Sequence, residues 1–326
     1  MISNSRIYNV DLLKSLALIL VILAHVEAPV LLQQIRGFDV CLLVILSGFL
    51  SSLGGGRLKH NALGEYTLKR FKRLILPSWI FIAFFFIIQS IFYKIPSINE
   101  LFLTFTFQRD CGLLGYLWII WVFFLCACLT PLMARIKINR LSILIYVFVI
   151  LLNEILIQYT NLEENRLLYC SIFTIVPYGF MIFLGYNLDT INLNRSILVA
   201  GFFCLIATLI AFLQTNQIPL IIEYKYPARI YYVSYGIFIS LILWRLTQKI
   251  QRPFFSSIVK YIASNTLWIY FWHIVILYML QFLFPSLVWW LQFLIVLLSS
   301  LFITYFQSLL VDRFTHIMPC LRYLKG

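Results

Sequence analysis

Residues 11–27 read DLLKSLALILVILAHVE, running from Asp11 through Lys14 and His25 to Glu27. Ten residues separate Lys14 from His25, and all but Ser15 are apolar. A run this apolar crosses a bilayer as a helix, and ionisable groups held at membrane depth are costly enough to mark function by default. At 100° per residue, eleven residues make about three turns, so Lys14 and His25 share a face about 16 Å apart. Asp11 lies about one turn before Lys14 on that face. The stretch predicts a first transmembrane helix with a polar stripe leading from the cytoplasmic edge towards the middle of the bilayer.

The rest of the chain extends this reading. Of 326 residues 62% are hydrophobic and only 11% charged, more apolar surface than a soluble domain of this size can hide. About ten segments reach spanning length, at 12–29, 38–53, 74–93, 113–134, 141–160, 167–187, 196–213, 229–246, 262–284 and 287–310. The second is short, bounded by Asp39 and Gly54-Gly55-Gly56. No segment alternates as a barrel strand does. The expected fold is an all-α polytopic bundle, one transmembrane domain over 1–326 with no appended soluble domain.

An even number of spans puts both termini on one side. With that side cytoplasmic, 19 of the 25 Lys and Arg residues fall inside, from Arg6 to the tail, and six outside: Arg36, Lys94, Arg109, Arg166, Lys225 and Arg229. The asymmetry follows the positive-inside rule. It accounts for most of the +13 net charge without a nucleic-acid partner. The first span is too long for a signal peptide and lacks a small-residue cleavage site, so it is expected to be retained. The seven cysteines show no CxxC or CxH spacing. They read as small buried hydrophobes, and no metal site is expected.

Four constellations stand out. His25, close to Glu27, is the side chain best suited to proton transfer near neutral pH, although a structural hydrogen bond within the bundle would also place a histidine there. Lys69-Arg70-Phe71-Lys72-Arg73 precedes the third span. Arg70 and Arg73 are one turn apart and can grip phosphate oxygens, or the cluster can anchor to anionic headgroups. Ser47-Gly48 allows close helix approach, or lines a narrow channel for a thin ligand. His273, in Trp268-Ile269-Tyr270-Phe271-Trp272-His273, is a second polar site in the membrane or a satisfied core histidine. His60 and His316, at the loops, carry no signal. The external segments 94–112 and 214–228 hold Arg109, Asp110, Glu223, Tyr224 and Tyr226.

The motifs together resemble the bacterial acyltransferase-3 family of integral membrane enzymes. Asp11 to His25 is similar to its opening signature of an aspartate, a basic residue, ten residues and a histidine. Leu46-Ser47-Gly48-Phe49-Leu50 resembles its Ser-Gly motif, and Arg70-Phe71-Lys72-Arg73 its RxxR. Tyr116-Leu117-Trp118-Ile119 to Pro131 resembles the fourth-span region, and Ser264 to His273 the late S…IY…H element. Three departures are visible. Lys14 stands where arginine is usual, Val44 and Ile45 replace phenylalanines, and 119–129 lacks the glutamate some members carry.

The resemblance implies ten core helices in the bacterial cytoplasmic membrane and transfer of an acyl group, usually acetyl, from cytoplasmic acyl-coenzyme A to a hydroxyl of an extracytoplasmic or lipid-linked glycan. On that expectation Arg70 and Arg73, helped by Lys69 and Lys72, hold the phosphates of acetyl-CoA, and the pantetheine arm passes Ser47 and Gly48. His25 then acts as catalytic base or as acyl relay. Lys14 and Asp11 orient the arm, and the acceptor enters between 94–112 and 214–228. A transporter or flippase of a lipid-linked glycan also needs intramembrane polar groups, but not a cytoplasmic phosphate clamp. A non-catalytic subunit of a polysaccharide complex would have no use for His25.

Overall fold

In hydrocarbon every peptide group must find its partner inside the chain, which leaves helices for a sequence without strand alternation. The computed structural model describes residues 7–53, 63–92, 94–108, 112–160, 172–250, 255–317 and 324. Every regular element among them is helical. In order these are α1 (Tyr8–His25), α2 (Val30–Ile35), a 3-10 turn (Arg36–Phe38), α3 (Asp39–Leu53), α4 (Leu63–Phe92) and α5 (Ile98–Phe105). A second 3-10 turn (Gly112–Leu117) leads into α6 (Trp118–Met133), α7 (Arg140–Tyr159), α8 (Ile172–Tyr186) and α9 (Leu193–Thr215). A third (Ile221–Tyr224) precedes α10 (Ile230–Thr247), α11 (Ser256–Ser264), α12 (Thr266–Leu283) and α13 (Trp289–Phe314).

Among the described residues nine helical stretches are long and apolar enough to cross a membrane, and α8 is a tenth, shorter apolar helix. The protein is a polytopic helical membrane protein. Arg6, Gly54 to Gly56, His60, Arg109, Asp110, Arg166 and the opening of the sixth expected span, 167–171, lie outside the described residues. Several boundaries differ from the hydropathy reading: the first span, expected over 12–29, runs Tyr8–His25, so His25 closes the helix instead of lying inside it. The third span was expected from residue 74, yet α4 begins at Leu63 and absorbs the basic cluster. Glu, Lys, Arg and Leu are good helix formers even where they are too polar for lipid. The ninth expected span is divided at Asn265 into α11 and α12.

The chain forms two compact units. The first comprises residues 1–24, 28–61 and 129–260, and the second 25–27, 62–128 and 261–326.

In the first unit α3 packs on α8 through two glycines. A Cβ on Gly48 would meet the carbonyl of Ile182, and one on Gly185 would meet that of Ile45. Here bare backbones touch, as small residues allow in membranes. α10 also packs on α3, with Gly236 beneath Cys41. α7 and α9 enclose little of themselves and turn Leu, Ile and Phe outward, the composition of a lipid face. At the start of α3 three charges are buried together. Asp39 accepts from Arg36 Nη1 at 2.5 Å and lies 3.7 Å from Lys225 Nζ, while its other bond is to the Val40 amide at 2.7 Å. Burial works against the Lys225 ammonium, but Asp39 together with Tyr226 and Cys41 outweighs it and holds the group above the ordinary lysine range. Glu154 pairs with Arg229 at 2.6 Å and accepts from the Ile230 amide, capping α10.

In the second unit α12 packs on α13, tied by Trp272 Nε1 to Gln307 Oε1 at 2.7 Å, and Tyr261 OH, from α11, donates to the Leu301 carbonyl of α13 at 2.7 Å. α4 joins through Phe81, which stacks on Phe271 with centroids 4.6 Å apart, and through Trp79 Nε1, which donates to Phe105 O.

Candidate active site

His25 is the last residue of α1 and belongs to the second unit. Its Nδ1 lies 3.0 Å from Nε2 of His273, and the two rings stack with centroids 5.1 Å apart. Tyr116 covers His25 at 4.2 Å between ring centroids, tilted by 46°. Its backbone is held in turn: the Tyr270 hydroxyl donates to the Tyr116 carbonyl at 2.6 Å. Tyr270 and His273, three residues apart on α12, share a helix face, and their rings touch at 4.8 Å. Tyr278 also stacks on Tyr116, at 6.1 Å between centroids. His273 is completely buried, whereas His25 is half-buried. The arrangement is therefore a half-buried imidazole paired with a second, buried imidazole and flanked by tyrosine rings. Such a group can take up and return a proton without losing its place.

The basic cluster sits on the first turns of α4. Arg70 Nε and Nη2 both donate to the Tyr66 hydroxyl, at 3.1 and 2.9 Å, and the guanidinium carbon lies 5.0 Å from that ring's centroid. Arg73, one turn on, is exposed, as are Lys69 and Lys72. Lys69 faces Glu65 at 3.9 Å in a solvent-exposed pair. Proline at 77 removes the amide that would bond to the Arg73 carbonyl. Two guanidiniums one turn apart, one braced and one exposed at the protein surface, form a surface that a phosphate can approach.

The remaining predicted residues lie in the first unit. Asp11 is buried on α1 and Lys14 half-buried. Between them and the helix's neighbours stands Ser15, whose Oγ is 2.8 Å from the Asp11 carbonyl and 3.1 Å from that of Val259. Gly48 is at the α3–α8 crossing, the close-packing role that small residues take, and Ser47 beside it is half-buried. His25, Arg70 and Arg73 all belong to the second unit, where His273, Tyr116 and Tyr270 group around His25. His273 had two readings in the sequence, and the structure puts it on His25. Tyr116 and Tyr270 were quoted within motifs without a role. Their signal was the i, i+3 spacing of Tyr270 and His273, together with the presence of two histidines in apolar spans. Among the described residues, no three His, Cys, Asp or Glu side chains converge as metal ligands would.

A comparison with protein families matches residues 7–308 to one described as an acyltransferase domain, acyltransferase-3. Searches of curated proteins and of solved structures each find no match. The matched span runs from just before α1 to within α13, taking in His25, the basic turns of α4 and His273. On this match over nearly its whole length, the chain belongs to the acyltransferase-3 family.

Proposed function

We propose that this membrane acyltransferase moves an acyl group, in the first instance acetyl, from cytoplasmic acyl-CoA to a hydroxyl of an extracytoplasmic or lipid-linked glycan in the bacterial cytoplasmic membrane. The observation that carries the reading is the half-buried His25, gripped at 3.0 Å by His273 and covered by Tyr116, in the same unit as Arg70 and Arg73. Arg70 and Arg73 hold donor phosphates, with Lys72 adding charge. The His25 imidazole removes the proton of the acceptor hydroxyl as its oxygen attacks the thioester carbonyl. The C–S bond then breaks, and the thiolate takes the proton back from the imidazolium. Lys14 and Asp11 are assigned to orienting the donor arm and half-buried Ser47 to its path, while Gly48 is taken up by the helix crossing.

The test is transfer from radiolabelled acetyl-CoA to candidate glycan acceptors by the purified protein in lipid. His25→Ala is expected to lose about 10²–10⁴-fold of the rate, the scale of general base catalysis. Transfer by the variant at the wild-type rate would remove His25 from the chemistry.

A further inference from the structure

Two neutral imidazoles 3.0 Å apart share one proton, so one ring donates and the other accepts. Which does which is decided at the far nitrogen of the buried ring. His273 Nδ1 is buried and has no full hydrogen bond among the described residues. His273 follows Ile269 and Tyr270 by four and three residues on α12, so their carbonyls lie one turn back on its side of the helix. An N–H pointing towards carbonyl oxygens is favourable there, whereas a lone pair would be repelled. The nearby Tyr270 hydroxyl directs its proton to the Tyr116 carbonyl, so it does not supply a donor for that lone pair. His273 therefore carries its proton on Nδ1, and Nε2 is left as an acceptor. On that assignment the donor across the 3.0 Å contact is His25 Nδ1–H.

We propose that His273 is a positioning residue. It fixes His25 in the tautomer with the proton on Nδ1 and the lone pair on Nε2, making Nε2 the atom that takes the acceptor's proton or receives the acyl group. This rests on the reading of His25 as the reacting residue. The bond is indifferent to the reaction's progress: an imidazolium at His25 still donates from Nδ1, so His273 accepts before and after proton transfer. A neutral imidazole, unlike a carboxylate, holds the ring without cancelling the positive charge that forms on it. The stack of the two rings and the Tyr116 cover at 4.2 Å limit rotation of His25 about its side-chain bonds.

The experiment is nitrogen NMR of the full-length protein in lipid, with ¹⁵N in the histidine rings and the His25 signals assigned by their loss in His25→Ala. At a pH where His25 is neutral, its Nδ1 should be of the protonated type and its Nε2 of the unprotonated type, with a coupling across the bond to His273 Nε2. His273→Leu should let His25 relax to the Nε2–H form favoured by free histidine, and transfer should fall by about 10²-fold or more, as when other histidine bases lose their tautomer. His273→Gln offers an amide oxygen to the same N–H, and should keep the tautomer and recover most of the rate. Wild-type His25 protonated on Nε2 would overturn the proposal without any variant having to fold. So would an unchanged tautomer and rate in folded His273→Leu. Wild-type protein that shows the Nδ1–H tautomer but transfers no acyl group supports the tautomer assignment while sinking the acyltransferase chemistry, so the two failures are separable.

Discussion

Arg70 directs two of its N–H groups at one hydroxyl, that of Tyr66, and this separates the four basic side chains at the start of α4. A guanidinium braced in one orientation loses less entropy on gripping a phosphate than a free lysine does. Tyr66→Phe removes the brace and is expected to raise the apparent KM for the acyl-CoA donor about fivefold, the worth of about 1 kcal/mol, with kcat unchanged. Arg70→Ala should raise it further. Lys69→Ala should stay within about twofold, because the exposed pair with Glu65 at 3.9 Å contributes little. Steady-state kinetics against donor concentration decides, and equal KM values for wild type and Tyr66→Phe would sink the brace. At this scale His25 was legible in the sequence, since a histidine in an apolar run has few reasons to be there. Its partner was not, because helical periodicity relates neighbours within one helix and this bond joins residues 248 apart.

Among elements, the α3–α8 crossing shows what motif spacing conveys and what it omits. Leu46-Ser47-Gly48-Phe49-Leu50 marked a place needing a small residue, but nothing in it pointed to Gly185 as the reciprocal contact. Gly185→Val places new atoms against the Ile45 backbone, where only a helix shift can relieve them. The expected cost is about 1–3 kcal/mol, read as a lowered midpoint of thermal unfolding in detergent, while half-buried Ser47→Ala should be near neutral. An unchanged midpoint for Gly185→Val would show the crossing to be looser than described. Apolar runs located the spans well, and they located the ends poorly wherever charged helix formers extend a helix beyond the lipid. α4 is the clearest instance, beginning eleven residues before the expected edge at 74.

At the scale of the molecule, a membrane protein hides its charges instead of solvating them, and the first unit hides three at one point. Arg36 is 3% exposed, Asp39 0% and Lys225 8%, so one carboxylate serves two cations from segments almost 190 residues apart. Asp39→Asn leaves both cations buried without their counter-charge and is expected to cost about 3–5 kcal/mol. Adding Lys225→Met should recover part of that loss, because it removes one orphaned charge. Thermal unfolding of the single and double variants measures both, and an Asp39→Asn protein as stable as wild type would refute the linkage. The sequence showed Asp39 as the boundary of a short span and Lys225 as one basic residue of an external segment. Their meeting depends on the fold, and no local pattern carries it.

The length of α4 has one more consequence. Phe81 stacks on Phe271, two residues from His273, and Arg70 lies eleven residues before Phe81 along that helix. Eleven residues are about 16 Å of helix. On the proposed chemistry α4 thus sets a spacing, one end braced at the guanidinium and the other stacked on α12 two residues from His273. Selection of the donor is then partly a matter of reach. A molecule with the right phosphates and a shorter arm docks at one end and leaves its thioester short of the other.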